Sequence, residues 1–425
     1  MAAAPFGLTA WRWLGMAATP LAPLLLSERA ARGKEERARM QERLGEASRP
    51  RPEGRVIWVH GASVGESLAA LPLIEKLLAR GNSLLVTSGT VTSAAMMEAR
   101  LPKGAVHQYV PLDTPRAVSR FLDHWRPAAG LFVESDLWPT LLMEAKKRRI
   151  RLALINARVS ERSAARWRWL PDMARALLGA FDIVLAQDED FAQRFRSLGA
   201  GKVATVGSLK ADAPPLGCDP AALAAIKDAI GTRPVLLAAQ THPGEDETIL
   251  PAHDLLRAEF ADLLTIIVPR HVERGHDIAM LCGTRPVARR AAAEPITAKT
   301  AIYIADTMNE LGLFYRLAPF CFLGGTLVPM GGHNPLEPAA LHCAILAGPS
   351  RANSATSFAA VLGAQGFGGV HSAGDIAREA KRLFSDRESA RIAGEAAAKG
   401  AAALSGAVDK TIAALDLLLG YHARA

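Results

Sequence analysis

Short apolar runs recur along the chain, and Gly-containing loops and stretches with helical spacing of apolar residues follow them. Apolar runs of four to six residues bounded by such loops are typical of buried strands. Helix-like stretches such as 115–124 and 141–148 lie between the runs. This alternation predicts parallel sheets covered by helices, an α/β fold. The predicted strands are 55–60, 83–87, 130–133, 152–155, 183–186, 203–206, 235–239, 264–268, 302–305, 320–323 and 344–346.

The alternation is interrupted once, near the middle of the chain, by the sequence APPLG at 213–217. Pro and Gly at this density mark a linker. We therefore expect two Rossmann-like domains of similar size, at 31–213 and 214–425, the second closing with Ala-rich helices. Ligands of such sheets bind beyond the carboxyl ends of the strands. Two such domains facing a central cleft suit a nucleotide-linked donor and an acceptor.

The first 30 residues differ in character from the rest, because residues 2–27 have Arg12 as their single charge. The apolar stretch 13–27 is shorter than the roughly 20 residues of a membrane span, although counting from Ala2 makes it long enough. Other interpretations are an interfacial anchor, a secretory signal or a buried first helix. We favour a membrane-anchoring segment over residues 1–30. The basic residues behind it would keep the remainder on the cytoplasmic side.

Composition and charge narrow the function. The chain has 425 residues, of which 50% are hydrophobic and 22% charged, so low-complexity disorder is excluded. The net charge of +8 favours anionic partners such as phosphates, nucleotides or acidic lipid surfaces. Aromatic residues make up 6% and no nucleic-acid-binding motif is present, so nucleic acid is not expected. Cys and His show no metal-ligand spacing.

Three loops of the first half follow predicted strands and contain ionisable side chains. The loop 60–66 has two glycines, and Glu66 there is a helix-dipole partner, part of an anion site, or a general base. It lacks the GxGxxG pattern of dinucleotide sites. Glu134 and Asp136 follow another strand, either as loop caps or as active-site acids. Lys210 is either a surface lysine or a cation facing the cleft.

The loop 331–337 is the most informative one of the second half. Asn334 fits a helix N-cap, Pro335 the first helical position and Glu337 the third, which predicts a capping box. Two glycines before such a helix would leave free N–H groups for a phosphate. Helix capping alone also explains the pattern.

A basic run at 146–151 contains five cations in six residues. It is interpreted either as a solvated helix end, where cations favour the helix dipole, or as a patch for lipid or acceptor phosphates.

Taken in order, seven motifs resemble those of the Kdo transferases, the enzymes that add 3-deoxy-D-manno-octulosonic acid (Kdo) to lipid A precursors. The resemblance runs from about residue 36 to 349. It implies a GT-B glycosyltransferase fold, a CMP-Kdo donor, a lipid IVA acceptor and attachment to the cytoplasmic face of the inner membrane, in lipopolysaccharide biosynthesis. The motifs are WVHGASVGE, ESDLWP, LINARVSERS, GSLKAD, THPGEDE, VPRHVERG and GGTLVPMGGHNPLEPAA.

The resemblance also implies roles for individual residues. Glu66 would be the general base of an inverting transfer, and Glu134 and Lys210 would support the transition state. Asn309 stands where many relatives have Gly, so a side chain there is expected to narrow the nucleotide pocket. No metal or other cofactor is expected. The implied CMP-binding residues are Pro269, Arg270, Met308, Asn309, Glu310, Asn334, Pro335, Leu336 and Glu337.

Three alternatives remain open. Another GT-B enzyme, such as a UDP-sugar transferase or epimerase, would differ in its donor. A Rossmann oxidoreductase would need the GxGxxG pattern, which the first loop lacks. A non-catalytic, membrane-bound nucleotide sensor would tolerate Glu66→Gln.

Overall fold

The computed structural model describes residues 5–420; residues 1–4, where the predicted membrane-anchoring segment begins, and residues 421–425 lie outside the described part. The chain forms two compact units. The first extends to Ala213 and resumes at Ser405, and the second runs from Pro214 to Leu404.

Each unit is built on one sheet whose strands are all parallel. The order is β3-β2-β1-β4-β5-β6-β7 in the first unit and β10-β11-β9-β8-β12-β13 in the second. The strands β1 to β13 are Val56–His60, Ser83–Ser88, Ala105–Tyr109, Ala129–Val133, Arg151–Ala157, Ile183–Ala186, Val203–Thr205, Val235–Thr241, Leu264–Pro269, Val287–Arg289, Ile302–Ile304, Phe320–Leu323 and Ala344–Leu346.

Helices lie between successive strands, except between β10 and β11, and cover both faces of each sheet, which confirms the predicted α/β fold. The helices α1 to α19 are Phe6–Ala18, Ala22–Ala31, Met40–Arg43, Val64–Ala79, Val91–Arg100, Pro115–Trp125, Pro139–Lys147, Glu161–Trp167, Pro171–Leu178, Glu189–Ser197, Pro220–Ile230, Asp246–Arg257, Gly275–Leu281, Leu311–Tyr315, Leu336–Ala339, Ala355–Gln365, Ala373–Ser385, Arg387–Ala402 and Ala407–Leu419.

The sheets are buried on both faces, so their strands are apolar throughout rather than alternating. In β1, Trp58 packs with Phe132 and Phe121 on one face, at ring-centroid distances of 4.8 and 5.2 Å. Ile57 and Val59 belong to the core on the opposite face. This continuous burial explains why the central strands could be predicted as apolar runs.

Two strands, β3 and β10, were missed. β3 has the sequence AVHQY, in which only the last two residues are buried, and β10 has three residues. Both lie at the edge of their sheet. Edge strands are commonly short and polar, and therefore lack the apolar run that marks a central strand.

The segment that precedes β1 covers the edge strand β3. The buried carboxylate of Glu42 accepts hydrogen bonds from Tyr109 N–H at 2.7 Å and from the guanidinium of Arg39 at 2.9 Å. Arg43 donates to the carbonyl oxygen of Val110. Gly45 then passes so close to α6 that a Cβ atom there would lie 2.0 Å from Ala117 O.

The prediction that the C-terminal helices all belong to the second domain was wrong for α19. Asp212 accepts hydrogen bonds from the N–H groups of Gly406 and Val408, both at 2.6 Å, where α19 begins. Ile412 and Leu415 are buried in the core of the first unit. The apolar face of α19 thus completes the first unit.

Candidate functional site

The strand order of each sheet reverses beside the first strand of the unit. The reversals lie between β1 and β4 and between β8 and β12. Loops leaving the two sides of such a point diverge and open a crevice at the carboxyl ends of the strands. In the first unit, Glu66 lies in the first turn of α4, just after the loop that follows β1, and the residue after β4 is Glu134. Two predicted site residues therefore lie at the topological switch point.

Glu66 is held in the first turn of α4. Its carboxylate accepts the N–H of Ala62 at 2.8 Å and the hydroxyl of Ser63 at 2.9 Å, and its own N–H donates to Ser63 Oγ. Burial and the negative charges of Glu134 and Asp136 raise the pKa of Glu66 above its ordinary value, against these hydrogen bonds. The result is an oriented carboxylate with increased basicity.

Glu134 has a left-handed backbone, with φ = 65°. This conformation is strained for a residue with a Cβ atom, and such strain is concentrated at functional sites. The buried carboxylate contacts Arg158 Nε at 2.6 Å and Lys210 Nζ at 3.3 Å. Two cations therefore share one acid, and the cluster of three side chains is net positive. It suits an anionic ligand.

Asn156, at the end of β5, positions the segment that contains Lys210. Its backbone is also left-handed, with φ = 49°, and its side-chain oxygen accepts the N–H of Leu209 at 3.0 Å. Lys210 is thereby fixed beside Glu134 although it belongs to a different loop.

A chain of buried hydrogen bonds runs beneath Glu66. Trp58 Nε1 donates to Thr87 Oγ1 at 2.8 Å, the Thr87 hydroxyl lies 2.9 Å from His60 Nδ1, and His60 Nε2 lies 2.8 Å from Asp136 Oδ2. Because an ionised carboxylate can only accept, the bond to Asp136 places a proton on His60 Nε2. Burial raises the pKa of Asp136, but its interactions with His60 and its hydrogen bond from Trp138 together outweigh burial and lower the pKa overall.

Sequence reasoning gave no role to three of these residues, His60, Asn156 and Arg158. All three lie within or next to motifs of the resemblance, WVHGASVGE and LINARVSERS. Their partners are 76, 53 and 24 residues away in the chain. Position after a predicted strand was the only available signal.

The second unit has a matching anchor at its own switch point. The buried carboxylate of Glu245 accepts the N–H groups of His242, Gly325, Thr326 and Leu327, at 2.7 to 3.0 Å. Hydrogen bonds to four N–H groups from two loops fix the carboxyl ends of β8 and β12 relative to each other. The carboxylate of Glu245 therefore holds the two loops in place and is not a ligand-binding group.

The predicted CMP-binding residues at and after the ends of β9 and β11 differ in whether their side chains already have partners within the unit. Pro269 ends β9, and Arg270 is exposed. Glu310 pairs with Arg290, and this hydrogen bond lowers the pKa of Glu310. Met308 is exposed. Within residues 5–420, the guanidinium of Arg270 has no hydrogen-bond or ion-pair partner, so it is the available cation of this group.

Asn309 adopts a left-handed backbone with φ = 65°. Glycine reaches this conformation without strain, and Asn is one of the few other residues that tolerate it. The backbone at this position is therefore one that glycine would also adopt, and without strain.

The prediction for the 331–337 loop needs two corrections. The helix α15 starts at Leu336, one residue later than expected, and has four residues. Asn334 Oδ1 accepts the N–H of Leu336 at 3.2 Å, but Glu337 accepts the side-chain amide of Asn334 rather than its backbone N–H. Pro335 thus occupies the N-cap position, and because it has neither a side-chain acceptor nor an N–H to donate, the expected capping box does not form.

The glycine N–H groups of this loop are also not free. Gly331 N–H donates to Ser350 Oγ at 2.9 Å, and Gly332 N–H donates to Gly325 O at 2.8 Å. Each is already used to hold the loop. A phosphate site made of these two groups was therefore a wrong expectation.

Two histidines are paired next to this loop. His242 Nε2 and His333 Nε2 lie 2.9 Å apart, and the rings stack with a centroid distance of 5.1 Å. Burial and the neighbouring His242 lower the pKa of His333 to about 4. Among residues 5–420, no group of three or more His, Cys, Asp or Glu side chains is arranged to hold a metal ion.

The basic run 146–151 is largely neutralised. Lys147 pairs with Glu144 at 2.6 Å, Arg148 pairs with Glu144 and Asp123, and Arg151 pairs with Asp182 at 3.0 Å. Lys146 donates to the carbonyl oxygen of Gly179. The run is therefore a solvated, internally paired helix end, and a free phosphate patch is not what these contacts favour.

The N-terminal residues form two short helices, α1 and α2, separated at Pro20. Trp11 fixes α1 by donating to Asp113 Oδ2 at 2.7 Å, while Phe6, Trp13 and Leu14 are exposed. This exposure disagrees with a buried first helix. In the part of the chain described here, no helix has the length and apolar content needed to cross a bilayer.

Known proteins resemble the chain over most of its length. The profile of the family described as 3-deoxy-D-manno-octulosonic-acid transferase matches residues 38–213. A 3-deoxy-D-manno-octulosonic acid transferase of Haemophilus influenzae is 34% identical over 412 residues, which cover 94% of each chain. A probable mitochondrial one of Arabidopsis thaliana is 36% identical over 351 residues, covering 80% of this chain and 78% of that one.

Solved structures show the fold. A putative UDP-N-acetylglucosamine 2-epimerase from Listeria monocytogenes aligns with a TM-score of 0.60 and 14% identity, covering 88% of this chain and 98% of the other. A glycosyltransferase from Rickettsia africae gives 0.60 and 11%, covering 87% and 100%. These identities indicate a common GT-B architecture and nothing about the donor. The sequence relatives are closer, and on their identity and coverage the chain belongs to the Kdo transferase family.

Proposed function

We propose that the chain transfers Kdo from CMP-Kdo to lipid IVA with inversion at the anomeric carbon, in lipopolysaccharide biosynthesis. Membership of the Kdo transferase family supports the sugar. The observation that supports the chemistry is the geometry of Glu66. Two hydrogen bonds orient this carboxylate at the switch point of the first sheet, and its pKa is raised.

In this proposal, Glu66 takes the proton of the acceptor hydroxyl as the oxygen attacks Kdo. A raised pKa makes the ionised carboxylate a better base. Attack on the face opposite to CMP inverts the configuration.

Glu134 then acts together with its two cations. Because Arg158 and Lys210 both contact it, Glu134 holds them at a fixed distance from each other and from Glu66. The cations would balance the carboxylate of Kdo, and the carboxylate of Glu134 would favour positive charge developing on the sugar ring. Preorganisation of this kind requires no rearrangement during the reaction.

Donor recognition would fall to the second unit. The guanidinium of Arg270, which has no partner among the described residues, suits the single phosphate of CMP. A leaving group with one phosphate has little charge to neutralise, so we propose that the transfer needs no metal ion.

The acceptor is a lipid, and the surface of α1 suits a membrane. Exposed Phe6, Trp13 and Leu14 are side chains that favour the bilayer interface. We therefore include attachment to the cytoplasmic face of the inner membrane, through the N-terminal helices, in the proposal.

The test is transfer itself, with CMP-Kdo generated in place, lipid IVA in detergent and EDTA present. We expect Glu66→Gln to reduce transfer by roughly 10²- to 10⁴-fold, because a general base contributes about that much. Binding of CMP, measured by calorimetry, should not change. Mass spectrometry of the lipid identifies the product and counts the Kdo units.

Glu75→Gln is the matched control, since Glu75 lies exposed on the same helix α4. Equal transfer by wild type and Glu66→Gln would remove Glu66 as the base. If the folded wild type transferred no Kdo but turned over a UDP-sugar, the proposed CMP-Kdo donor would be wrong.

A further inference from the structure

The corner between α8 and α9 exposes large apolar side chains. Trp169 is 86% exposed and Leu170 is 51% exposed, and they are adjacent in the three-residue connection between the helices. The preceding Trp167 packs against the core instead. The corner therefore has one aromatic residue that anchors it and two apolar side chains that are largely or half exposed.

Cations surround these side chains. Arg162, Arg166 and Arg168 are all exposed. Within residues 5–420, none of the three guanidinium groups has an ion pair or a hydrogen bond. This distinguishes them from the run 146–151, whose cations are mostly paired within the unit. Arg149 of the run is also exposed without such a partner among the described residues, so the corner offers three free cations where Arg149 is the free one of the run.

The corner is close to α1 and to the candidate site. Gly7 of α1 packs on Met173 of α9, whose Sδ lies 3.1 Å from where a Cβ of Gly7 would be. Exposed Phe6 is the neighbour of Gly7. Three residues before α8 begins, Arg158 contacts Glu134 of the candidate site. A seven-residue helix is about 10 Å long, so α8 links the corner to the segment that contains Arg158.

We propose that this corner, residues 162–170, is a second membrane contact that docks on an anionic bilayer surface, with Trp169 and Leu170 at the level of the headgroups. Trp and Leu flanked by cations are the side chains that enter this layer. Charge complementarity decides the occupant, because three unpaired arginines outnumber the neighbouring acid Glu161 and favour an anionic surface. The contact deepens the proposed attachment through α1, and it would hold the site near lipid acceptors.

The experiment measures binding to acceptor-free vesicles of phosphatidylglycerol and phosphatidylethanolamine, with phosphatidylcholine vesicles for comparison. We expect replacement of the three arginines by Gln to weaken binding to the anionic vesicles by roughly a hundredfold, since each cation near such a surface contributes about 1 kcal/mol. Trp169→Ser should weaken it by roughly tenfold. Binding to phosphatidylcholine should respond to Trp169→Ser alone.

The matched control replaces Lys147, Arg148 and Arg151 by Gln, which lowers the net charge by the same three units. It should bind within a few-fold of wild type. Equal losses in both triple variants would mean that total charge drives binding, and unchanged binding by the corner variant would mean that the corner meets another partner; either result overturns the proposal.

Transfer to lipid IVA in detergent micelles separates this proposal from the proposed function. The corner variants should retain micellar transfer and lose transfer to lipid IVA in anionic vesicles. Loss of micellar transfer with intact vesicle binding would contradict the docking role, whereas an inactive wild type that still docks would contradict only the proposed function.

Discussion

At the scale of single residues, Glu66 takes part in a helix cap and is also the candidate base. The two tasks are compatible, because Ala62 N–H and Ser63 Oγ engage only part of the capacity of the carboxylate, which accepts about four hydrogen bonds. The neighbouring acids also affect the pKa of Glu66. Glu134 and Asp136 both raise the pKa of Glu66, and each of these two acids has its own partners, Arg158 and Lys210 for Glu134 and His60 for Asp136.

This arrangement predicts the pH dependence of transfer. The base must be deprotonated, so activity falls as the pH drops through the pKa of Glu66. Asp136→Asn removes one negative neighbour and should move the acidic limb of the kcat/KM profile to lower pH, because the pKa of Glu66 falls. The amide oxygen can still accept from His60.

Asp172→Asn, on the exposed start of α9, is the control and should leave the acidic limb in place. A limb that moves to higher pH in Asp136→Asn, or does not move, would contradict the assignment of Glu66 as the titrating base.

The sequence could place Glu66, Glu134 and Lys210 because each follows a predicted strand, and ends of parallel strands share one edge of a sheet. It could not pair Glu134 with Arg158, since that contact depends on the register of β4 with β5, where Val133 lies opposite Ile155. The resemblance located the motifs, but the contacts within them came from the structure.

At the scale of elements, the segment over β3 protects an edge that is otherwise open to pairing with another strand. Glu42 lies at its centre with no exposed surface. Because Gly45 approaches α6 so closely, the packing of the segment over β3 depends on the absence of a side chain at this one position.

We expect Gly45→Ala to destabilise the first unit by about 3 kcal/mol or more, since strain at positive φ is combined with a steric clash. Here φ is 83° and the new Cβ would lie 2.0 Å from Ala117 O. Denaturant unfolding followed by tryptophan fluorescence measures the loss.

Gly54→Ala is the matched control, because Gly54 has φ = 76° and nothing lies within 4 Å of its Cβ position. It should cost only about 1 kcal/mol. Equal costs at both positions would mean that the packing against α6 adds nothing.

At the scale of the whole molecule, the two units were predictable because each contains its own series of buried strands. That α19 belongs to the first unit could not be predicted, because the sequence of an Ala- and Leu-rich helix does not indicate which sheet the helix packs against. The contacts of α19 place it on the first unit. Asp409 pairs with Lys76 of α4, and Asp416 pairs with Arg80, which directly follows α4.

Truncation after Leu404 should therefore destabilise the first unit and leave the second unchanged. The removed face contains the buried side chains of Val408, Ile412 and Leu415, each contributing up to about 1.5–3 kcal/mol. All seven tryptophans lie before residue 214, so fluorescence reports on the first unit alone. An unchanged fluorescence midpoint would contradict the placement of α19.

The return of α19 also affects how the protein is made. Domains generally fold as the chain emerges, the earlier ones first. Here one side of the first unit's core stays uncovered until α19 has been synthesised. That happens roughly 200 residues after Ala213, which takes on the order of 10–40 s at about 5–20 residues per second. The unit that is begun first is thus completed last, and during that interval its open apolar face is the part of the nascent chain most in need of a chaperone.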